Sequence, residues 1–476
     1  MIQEKGTPIP PLLANLYQIL EAHRWIFRQA RVFWRVVALF FSELFNFGRH
    51  TVTQGLLTLG LTDADWSPWY RLFSCGRFDA EKAGKELCRQ TLVHVPPQEP
   101  YVMVADGVKV YRHSQKMPGT AWAKGPRTAA FRPGLERAQR FVNISWLAPI
   151  EGEGWTRAIP LMWRPAFPET AVRAALPPKK EWEAAVEGIT WMREQLDTEG
   201  REEQILLCVI DGGIERAVEF WRRLPDRTVV IARTARNRAL YELPAPTPEG
   251  KRGRKPKYGP RVRTPEAWLK EEEGWEELTL LVRGRERKMR YRVEGPYLRK
   301  GVPERPFYLI VVRGRDVRRG GRRIRREPVF LLVTAQWDGE RWVLPYEVAT
   351  LLMWAWQRWE VEVAHREMKS GLGLGEKQCW HSLGTIVAVQ WSAWVYGVLV
   401  LAGYRTWGIC GGPAALGRWR KGVQRWSIRR LWRAVRAAIW EMPELRAVYL
   451  GTPDNWPQKS EYVVGMWNAI QAAARL

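Results

Sequence analysis

The sequence predicts an α/β protein with a mixed sheet at its centre and helical regions at both ends. Apolar residues recur at helical spacing up to about residue 98 and again from residue 345 onward. Between these regions, apolar runs of strand length alternate with helical segments. The strand-like runs are 101–105, 140–148, 156–163, 204–210 and 228–232, and a helix is expected at 181–196. An early group of strands followed by alternating helices and strands is typical of a mixed sheet.

A chain of 476 residues, 46% of them hydrophobic, is long enough to build several domains with substantial cores. This composition excludes a disordered chain, a collagen-like chain and a small disulfide scaffold. We expect five segments: a helical N-terminal region at 1–98, a first part of the core at 99–242, a β-rich insertion at 243–335, a second part of the core at 336–405 and a helical C-terminal region at 406–476. The insertion is expected to stand apart from the central sheet.

The chain is strongly basic, with 75 Lys and Arg residues against 50 Asp and Glu residues, a net charge of +25 and a pI near 10.1. This charge predicts a polyanionic partner, first nucleic acid and second an anionic membrane surface. The 57 arginines outnumber the 18 lysines, which favours forked contacts with phosphates. Basic residues are concentrated at 251–263, where seven of thirteen are Lys or Arg, and at 313–326, which holds eight arginines.

Neither the cysteines nor the first residues indicate secretion. The five cysteines are scattered and form no C-x-x-C pair, which argues against a zinc module and fits a reducing cytoplasm. The first residues lack the charged start and apolar centre of a signal peptide. The uncharged stretch 386–404 is long enough to cross a bilayer. Polar residues and glycines interrupt it, so a buried core helix is favoured over a membrane span.

Two carboxylates follow apolar, strand-like runs. Asp106 follows 102–105, and Asp211 follows 207–210. If these strands are neighbours, their ends place both side chains at one edge of the sheet, where they repel each other unless protons or cations intervene. Oxygen ligands of this kind suit Mg²⁺. The alternative is that each Asp-Gly pair forms an ordinary turn.

A third carboxylate, Glu362, lies on a helix predicted at 354–369. It shares its side of that helix with four basic residues, Arg358, His365, Arg366 and Lys369. Such a face suits a site that binds both a metal ion and a DNA phosphate, although a solvated helix with ordinary ion pairs has the same pattern. Glu360 and Glu367 project away from this face, so their replacement is expected to leave cleavage intact.

The spacing of Arg358, Glu362 and Lys369 resembles the Y-R-E-K signature of bacterial insertion-sequence DDE transposases. Ala355 stands at the position of the signature's Tyr, with a tryptophan on each side. The glycines that follow the helix are also similar, as is the strand with a basic turn at 231–237. The resemblance covers roughly residues 100–400, and the long gap before Glu362 resembles the insertion domain that these transposases carry there.

The resemblance implies an RNase H-like core in which Asp106, Asp211 and Glu362 are the catalytic residues and bind two Mg²⁺ or Mn²⁺ ions. DNA contacts are expected from basic residues of the helix, of the turn at 231–237 and of the basic linker. These residues are Arg358, His365, Arg366, Lys369, Arg233, Arg236, Arg252, Arg254, Lys255 and Lys257. In the insertion, Trp268 and Trp275 are candidates for stacking on a flipped base.

The family implies a cut-and-paste enzyme that cleaves transposon ends, passes through a DNA hairpin and joins the ends to target DNA. Its partners would be double-stranded DNA and a second copy of the chain, in the cytoplasm of a bacterium and close to the nucleoid. One alternative is a catalytically inactive, DNA-binding scaffold that keeps the fold. Another is a basic protein at a membrane surface, which the stretch 386–404 suggests.

Three further basic surfaces have two interpretations each. The linker at 252–257 resembles a minor-groove AT-hook, or is a plain basic linker. The N-terminal helices form either a helical cap or a DNA-binding module. The C-terminal segment aligns its basic residues on one side, which faces either DNA or solvent: Arg425, Arg429, Arg433 and Arg436.

Overall fold

The computed structural model describes residues 9–46, 48–125, 134–245, 255–319, 322–413 and 425–441. These residues form a mixed α/β fold in which helices pack on both faces of a large mixed sheet. The predicted fold class, with helical regions before and after the sheet, is therefore confirmed.

The N-terminal region is helical. Its helices are α1 (Pro11–Ala22), α2 (Ala30–Phe45), α3 (Val52–Thr58), α4 (Ser67–Ser74) and α5 (Ala80–Leu92), with a 3₁₀ turn at Arg24–Ile26. Side chains cap two of them: Thr51 accepts a hydrogen bond from the backbone N–H of Gln54, and Asp79 accepts one from that of Lys82. The described helices cover part of the core, and DNA binding by this region stays a prediction.

The centre of the sheet has the strand arrangement of an RNase H-like core. Its strands are β1 (Tyr101–Tyr111), β2 (Ala121–Lys124), β3 (Leu135–Leu147), β4 (Ala158–Pro165), β5 (Leu206–Ile210) and β6 (Thr228–Arg233). β4, β3 and β1 are antiparallel neighbours, and β5 and β6 follow β1 in parallel. β4 pairs with the second half of β3, and β2 pairs with the first half of β3 along the same edge.

Successive side chains of β3 point to opposite faces of the sheet. On one face, Ile144 packs against α6 (Glu181–Thr198) at Gly188, where a Cβ atom would lie 2.3 Å from the Ile144 side chain. On the other face, Asn143 contacts His365, which belongs to one of the C-terminal helices. Two short helices, α7 (Gly212–Glu215) and α8 (Val218–Arg222), follow β5.

Most of the predicted insertion belongs to the central sheet, which corrects the expectation that it stands apart, and one hairpin of it forms a separate two-stranded sheet. Its strands are β7 (Leu240–Tyr241), β8 (Glu276–Leu281), β9 (Glu286–Arg299), β10 (Val302–Val312), β11 (Arg315–Arg319), β12 (Arg322–Arg326) and β13 (Val329–Thr334). β13 pairs with β6, and β10 and β9 continue the sheet beyond it. The physical reason is that β10 and β13 are apolar on both faces, and pairing with β6 leaves no open edge there. The division into domains itself stays a prediction.

The short hairpin β14 (Gln336–Trp337) and β15 (Trp342–Val343) leads into the C-terminal helices, α9 (Val348–Gln357), α10 (Trp359–Gly371), α11 (Ser382–Trp407) and α12 (Ile428–Glu441). Within the described residues, α11 is long and apolar enough to cross a membrane, but 94% of its most apolar window is buried inside the fold. Gly397 lets α11 approach β4, because a Cβ atom there would lie 2.7 Å from the carbonyl oxygen of Pro160. This burial supports the predicted core helix.

The predicted basic face of the C-terminal helix is only partly exposed. Arg436 is buried and donates a hydrogen bond to the carbonyl oxygen of Leu44. Arg425 precedes α12 and pairs with the buried Glu360. Arg429 is exposed, so this face offers fewer free cations than the helical pattern indicates.

Candidate active site

Asp106 and Asp211 come together because β1 and β5 are parallel neighbours. Ala105 and Ile210 are aligned in the register, so the aspartates that follow them lie side by side. Asp211 ends its strand and caps α7, where its Oδ1 accepts hydrogen bonds from the N–H groups of Gly213 (2.9 Å) and Ile214 (3.2 Å). Asp106, by contrast, lies in the middle of β1, which corrects the prediction of a strand end.

Arg358 connects β1 to the helix that carries Glu362. One guanidinium nitrogen of Arg358 donates to Oδ1 of Asp106 at 2.9 Å, and another donates to Oε1 of Glu362 at 2.6 Å. Arg358 is also the single residue between α9 and α10, so the predicted continuous helix is divided there. Its backbone keeps helical dihedral angles, which preserves the i,i+4 geometry between Arg358 and Glu362.

The electrostatic balance at these groups explains why Arg358 lies between them. Burial raises the pKa of Asp106 to about 7; the charge of Arg358 opposes this rise, and the charges of Asp211 and Glu362 add to it. Burial lowers the pKa of Arg358, but the charges of Asp106 and Glu362 outweigh burial, and the net effect is a raised pKa. Arg358 therefore keeps its positive charge and compensates the charges of two crowded carboxylates.

His365 packs against Asp106 in the wall of the space that the three carboxylates share, and its predicted contact with DNA stays a prediction. Its ring is buried, its Nε2 lies 2.9 Å from the amide nitrogen of Asn143, and its Nδ1 lies 3.9 Å from Oδ2 of Asp106. Because an amide nitrogen donates, Nε2 is the acceptor and Nδ1 carries the proton toward Asp106. Burial lowers the pKa of His365 to about 3, and the charges of Lys369 and Arg358 act in the same direction. The imidazole is therefore neutral.

The three predicted carboxylates line one open cleft of about 800 Å³. Basic residues of α10 and its junction line the same cleft: Arg358, His365, Arg366 and Lys369. Lys369 lies 5.9 Å from the centre of the Tyr111 ring, and burial lowers its pKa. We call this space the catalytic cleft. The fold thus brings together residues that are separated by up to 263 positions in the chain.

The donor set of the catalytic cleft fits a hard divalent cation, because Asp106, Asp211 and Glu362 offer carboxylate oxygens in one open space. In the described part of the chain, however, no three such side chains stand close enough to hold an ion in their present arrangement. Arg358 lies between Asp106 and Glu362 and keeps them apart. A metal ion at these carboxylates therefore requires Arg358 to move.

Glu360 and Glu367 lie off the catalytic cleft, on the opposite side of α10. Glu360 is buried and pairs with Arg425. Glu367 accepts a hydrogen bond from Arg157 at 3.1 Å and one from the hydroxyl of Tyr396 at 2.7 Å. Removing one partner of a buried ion pair strongly destabilises a protein, so these two glutamates hold the fold. They are poor controls for catalysis.

The remaining predicted DNA contacts lie around the cleft or outside the described residues. Arg233 lines a hollow of about 240 Å³ next to the cleft, together with Ala355, Trp356 and Arg358; we call it the Trp356 hollow. Arg236 and the linker residues Lys255 and Lys257 are exposed. Arg252 and Arg254 lie outside the described residues, and with them most of the resemblance to an AT-hook.

Trp268 and Trp275, the candidates for base stacking, already have cationic partners. Trp268 lies between Arg263 and Arg292, with guanidinium carbons 5.1 and 4.3 Å from the ring centre. Trp275 lies 5.2 Å from the guanidinium carbon of Arg313 and donates to a backbone carbonyl. These rings are partly buried and packed against the core, so stacking by either one stays a prediction.

Three residues of the site were missed at the sequence level. Asn143 fixes the ring of His365, and Ser145 in turn donates to Oδ1 of Asn143 at 3.0 Å. Glu181 begins α6, and its charge contributes to the raised pKa of Asp106. Their positions depend on how β3 and α6 pack beside β1, so local patterns carry no signal for them. The burial of His365 could have been predicted, because it lies on the apolar side of α10.

The family model for DDE superfamily endonucleases matches residues 16–296, more than half of the chain. The chain therefore belongs to the DDE superfamily endonucleases. The match contains Asp106 and Asp211 and ends before Glu362. Endonucleases of this superfamily generally use divalent metal ions.

A cryo-EM structure of a piggyBac transposase synaptic complex with hairpin DNA is similar over 98% of this chain and 87% of the other chain, with 10% sequence identity and a TM-score of 0.39. No curated protein matches the chain.

Proposed function

We propose that this DDE superfamily endonuclease is a cut-and-paste transposase that cleaves the ends of a DNA element and joins them to target DNA. The observation that carries the proposal is the catalytic cleft, in which Asp106, Asp211 and Glu362 meet beside a row of basic residues. Arg358 and Lys369 are the cations best placed to hold a phosphate next to the carboxylates. The Y-R-E-K spacing supports assignment to the bacterial insertion-sequence type.

The residues of the cleft have separate tasks in this proposal. Asp106, Asp211 and Glu362 would hold two Mg²⁺ or Mn²⁺ ions, which, when bound, supply a nucleophile by activating water or a 3′-hydroxyl and stabilise the leaving oxygen. The N–H groups of Gly213 and Ile214 orient the carboxylate of Asp211. Arg358 would leave Asp106 and Glu362 free to hold the ions and would contact the scissile phosphate.

The remaining parts of the proposal follow from the family resemblance and from geometry. A homodimer is proposed because two DNA ends must be held together, and a hairpin intermediate because similar transposases form one. The proposed location is the bacterial cytoplasm near the nucleoid. The net charge of +25 supports a DNA partner.

Cleavage of DNA that contains the coding sequence with its genomic flanks, in Mg²⁺ or Mn²⁺, tests the proposal. Asp106→Asn, Asp211→Asn and Glu362→Gln keep the shape of each side chain and remove its charge, and each is expected to lower the cleavage rate by about a thousandfold or more, since one lost metal ligand removes several kcal/mol of transition-state stabilisation. The control is Glu194→Gln, an exposed carboxylate on α6, which should cleave like the wild type. A folded variant of the first three that cleaves normally would refute the site.

The same experiment distinguishes the proposed transposase from the alternative of an inactive DNA-binding scaffold. A wild-type protein that binds the flanking DNA but never cleaves it, in either metal ion, would favour that alternative. Loss of cleavage with retained DNA binding in the three variants would favour the transposase.

A further inference from the structure

A second group of cations lies in a pocket of about 480 Å³, formed by the strands that extend the sheet and by α9. We call it the arginine pocket. Its basic lining residues come from β9 to β12 and the turns beside them: Arg287, Lys288, Arg290, Arg313, Arg315 and Arg326. Trp356 and the carboxylates Glu277 and Glu327 also line it.

The nearby carboxylates do not neutralise these cations. Glu277 is an exposed partner of Arg290, at 3.8 Å, and Arg313 pairs with another exposed carboxylate at 3.4 Å. Exposed pairs of this kind contribute little. Within the part of the chain that the structure describes, no carboxylate lies within ion-pair distance of Arg287 or Arg326.

Arg287 shows the effect of this crowding. Burial lowers its pKa to about 10, and the charges of four neighbouring arginines act in the same direction: Arg283, Arg326, Arg315 and Arg285. Like charges held together in a partly buried place repel each other. An anion bound among them would relieve this repulsion.

The arginine pocket is connected to the catalytic cleft by shared lining residues. Arg358 lines both the cleft and the Trp356 hollow, and Trp356 lines both that hollow and the arginine pocket. Arg233 and Arg283 add two more cations to the hollow. A DNA backbone that leaves the catalytic cleft through the Trp356 hollow therefore runs along a basic surface until it reaches the arginine pocket.

We propose that the arginine pocket is a second DNA-backbone site, which binds phosphates of the same duplex whose scissile phosphate lies in the catalytic cleft. Five of its six cations are arginines, and the guanidinium fork matches a phosphate better than an ammonium group does. The identity of the DNA rests on the proposed function. Anion binding by the pocket is measured separately from cleavage.

The test measures binding of a labelled DNA duplex at several NaCl concentrations, in a chelator so that no cleavage occurs. Arg287→Gln/Arg326→Gln is expected to reduce the slope of log K against log salt by roughly two units and to weaken binding by about ten-fold or more near 0.1 M salt. The control, Arg223→Gln/Arg227→Gln, removes the same charge from exposed arginines that have carboxylate partners. It should keep the wild-type slope.

Two more measurements separate a binding site from a structural role. Arg287→Lys/Arg326→Lys keeps the charge and should restore most of the slope, and the glutamine variant should unfold at the wild-type temperature or above it, because a repulsion is removed. Equal slopes for the pocket and control variants would overturn the proposal, and so would a lowered unfolding temperature of the glutamine variant. A loss of affinity that the glutamine variant shows with duplex RNA but not with duplex DNA would also overturn it. Because binding is measured in a chelator and needs no cleavage, failure of the proposed chemistry leaves this test valid.

Discussion

Replacement of Arg358 by glutamine removes the positive charge between two carboxylates of the catalytic cleft. The wild-type guanidinium donates to Asp106 at 2.9 Å and to Glu362 at 2.6 Å, and the side chain is 23% exposed. A divalent ion that binds these carboxylates must first displace the guanidinium. We therefore expect Arg358→Gln to bind Mn²⁺ more tightly than the wild type in the absence of DNA, and to cleave DNA more slowly.

The size of this effect follows from the two hydrogen bonds. A hydrogen bond to a charged group contributes about 1.5–3 kcal/mol, and partial exposure favours the lower end of that range, so the two together contribute about 3 kcal/mol. At 1.4 kcal/mol for each factor of ten, this corresponds to roughly a hundredfold in affinity. Loss of the Arg358 charge also raises the pKa of Asp106 above its value of about 7, and proton competition then reduces the gain. A tightening of about ten-fold or more remains at pH 8.

Isothermal titration calorimetry of metal-free protein with Mn²⁺ at pH 8 measures the effect directly. The matched control is Arg429→Gln, which removes the same charge from an exposed arginine of α12 and should bind Mn²⁺ like the wild type. If Arg358→Gln binds Mn²⁺ no more tightly than this control, the guanidinium does not compete with metal ions, and the reasoning fails.

Three further predictions concern stability. Glu360→Ala should lower the free energy of unfolding by about 3–5 kcal/mol, because the buried guanidinium of Arg425 loses its partner. Urea denaturation measures this change, and the control Glu194→Ala should have little effect. Equal stability of the two variants would contradict the buried pair. Asn143→Ala leaves Nε2 of His365 buried without its donor, which should cost about 1–3 kcal/mol in the same assay, and an unchanged midpoint would refute that hydrogen bond. Stability should also fall as the pH decreases from about 6.5 toward 4 or 3, because the unfolded chain takes up protons on histidines that stay neutral in the fold. Thermal unfolding at pH 7.5 and pH 5 tests this, and a flat profile would contradict it. Burial lowers the pKa of His94 to about 4 and that of His365 to about 3, and it also lowers the pKa of His23.

Part of the fold and part of the candidate site could be predicted from local patterns. The helical face around Glu362 was predictable because helical periodicity alone places Arg358 and Lys369 beside it. The apolar run before Asp211 marked a strand end, and the structure places Asp211 directly after β5. These predictions need only the spacing of neighbouring residues.

Other features depend on contacts between distant segments. β1 continues past Asp106 to Tyr111. Gly107 resembled the start of a turn, although Val108 and Val110 beyond it keep the alternation that is typical of a strand. The contact between Arg358 and Asp106 joins residues 252 positions apart, and the partner of Glu360 is 65 positions away. Local periodicity carries no information about such pairs, because they depend on how the helices cross the sheet.

The pairing of β13 with β6 has a consequence for how the gene can change. Three ladder positions, Leu331, Leu332 and Val333, join the segment before Glu362 to the strand that follows Asp211. Deletion of that segment would leave the apolar β6 with an open edge, which invites pairing with other chains. The segment is therefore not a removable module. Truncated or shuffled descendants of this protein should keep β10 and β13 even where they lose the arginine-rich hairpin β11–β12.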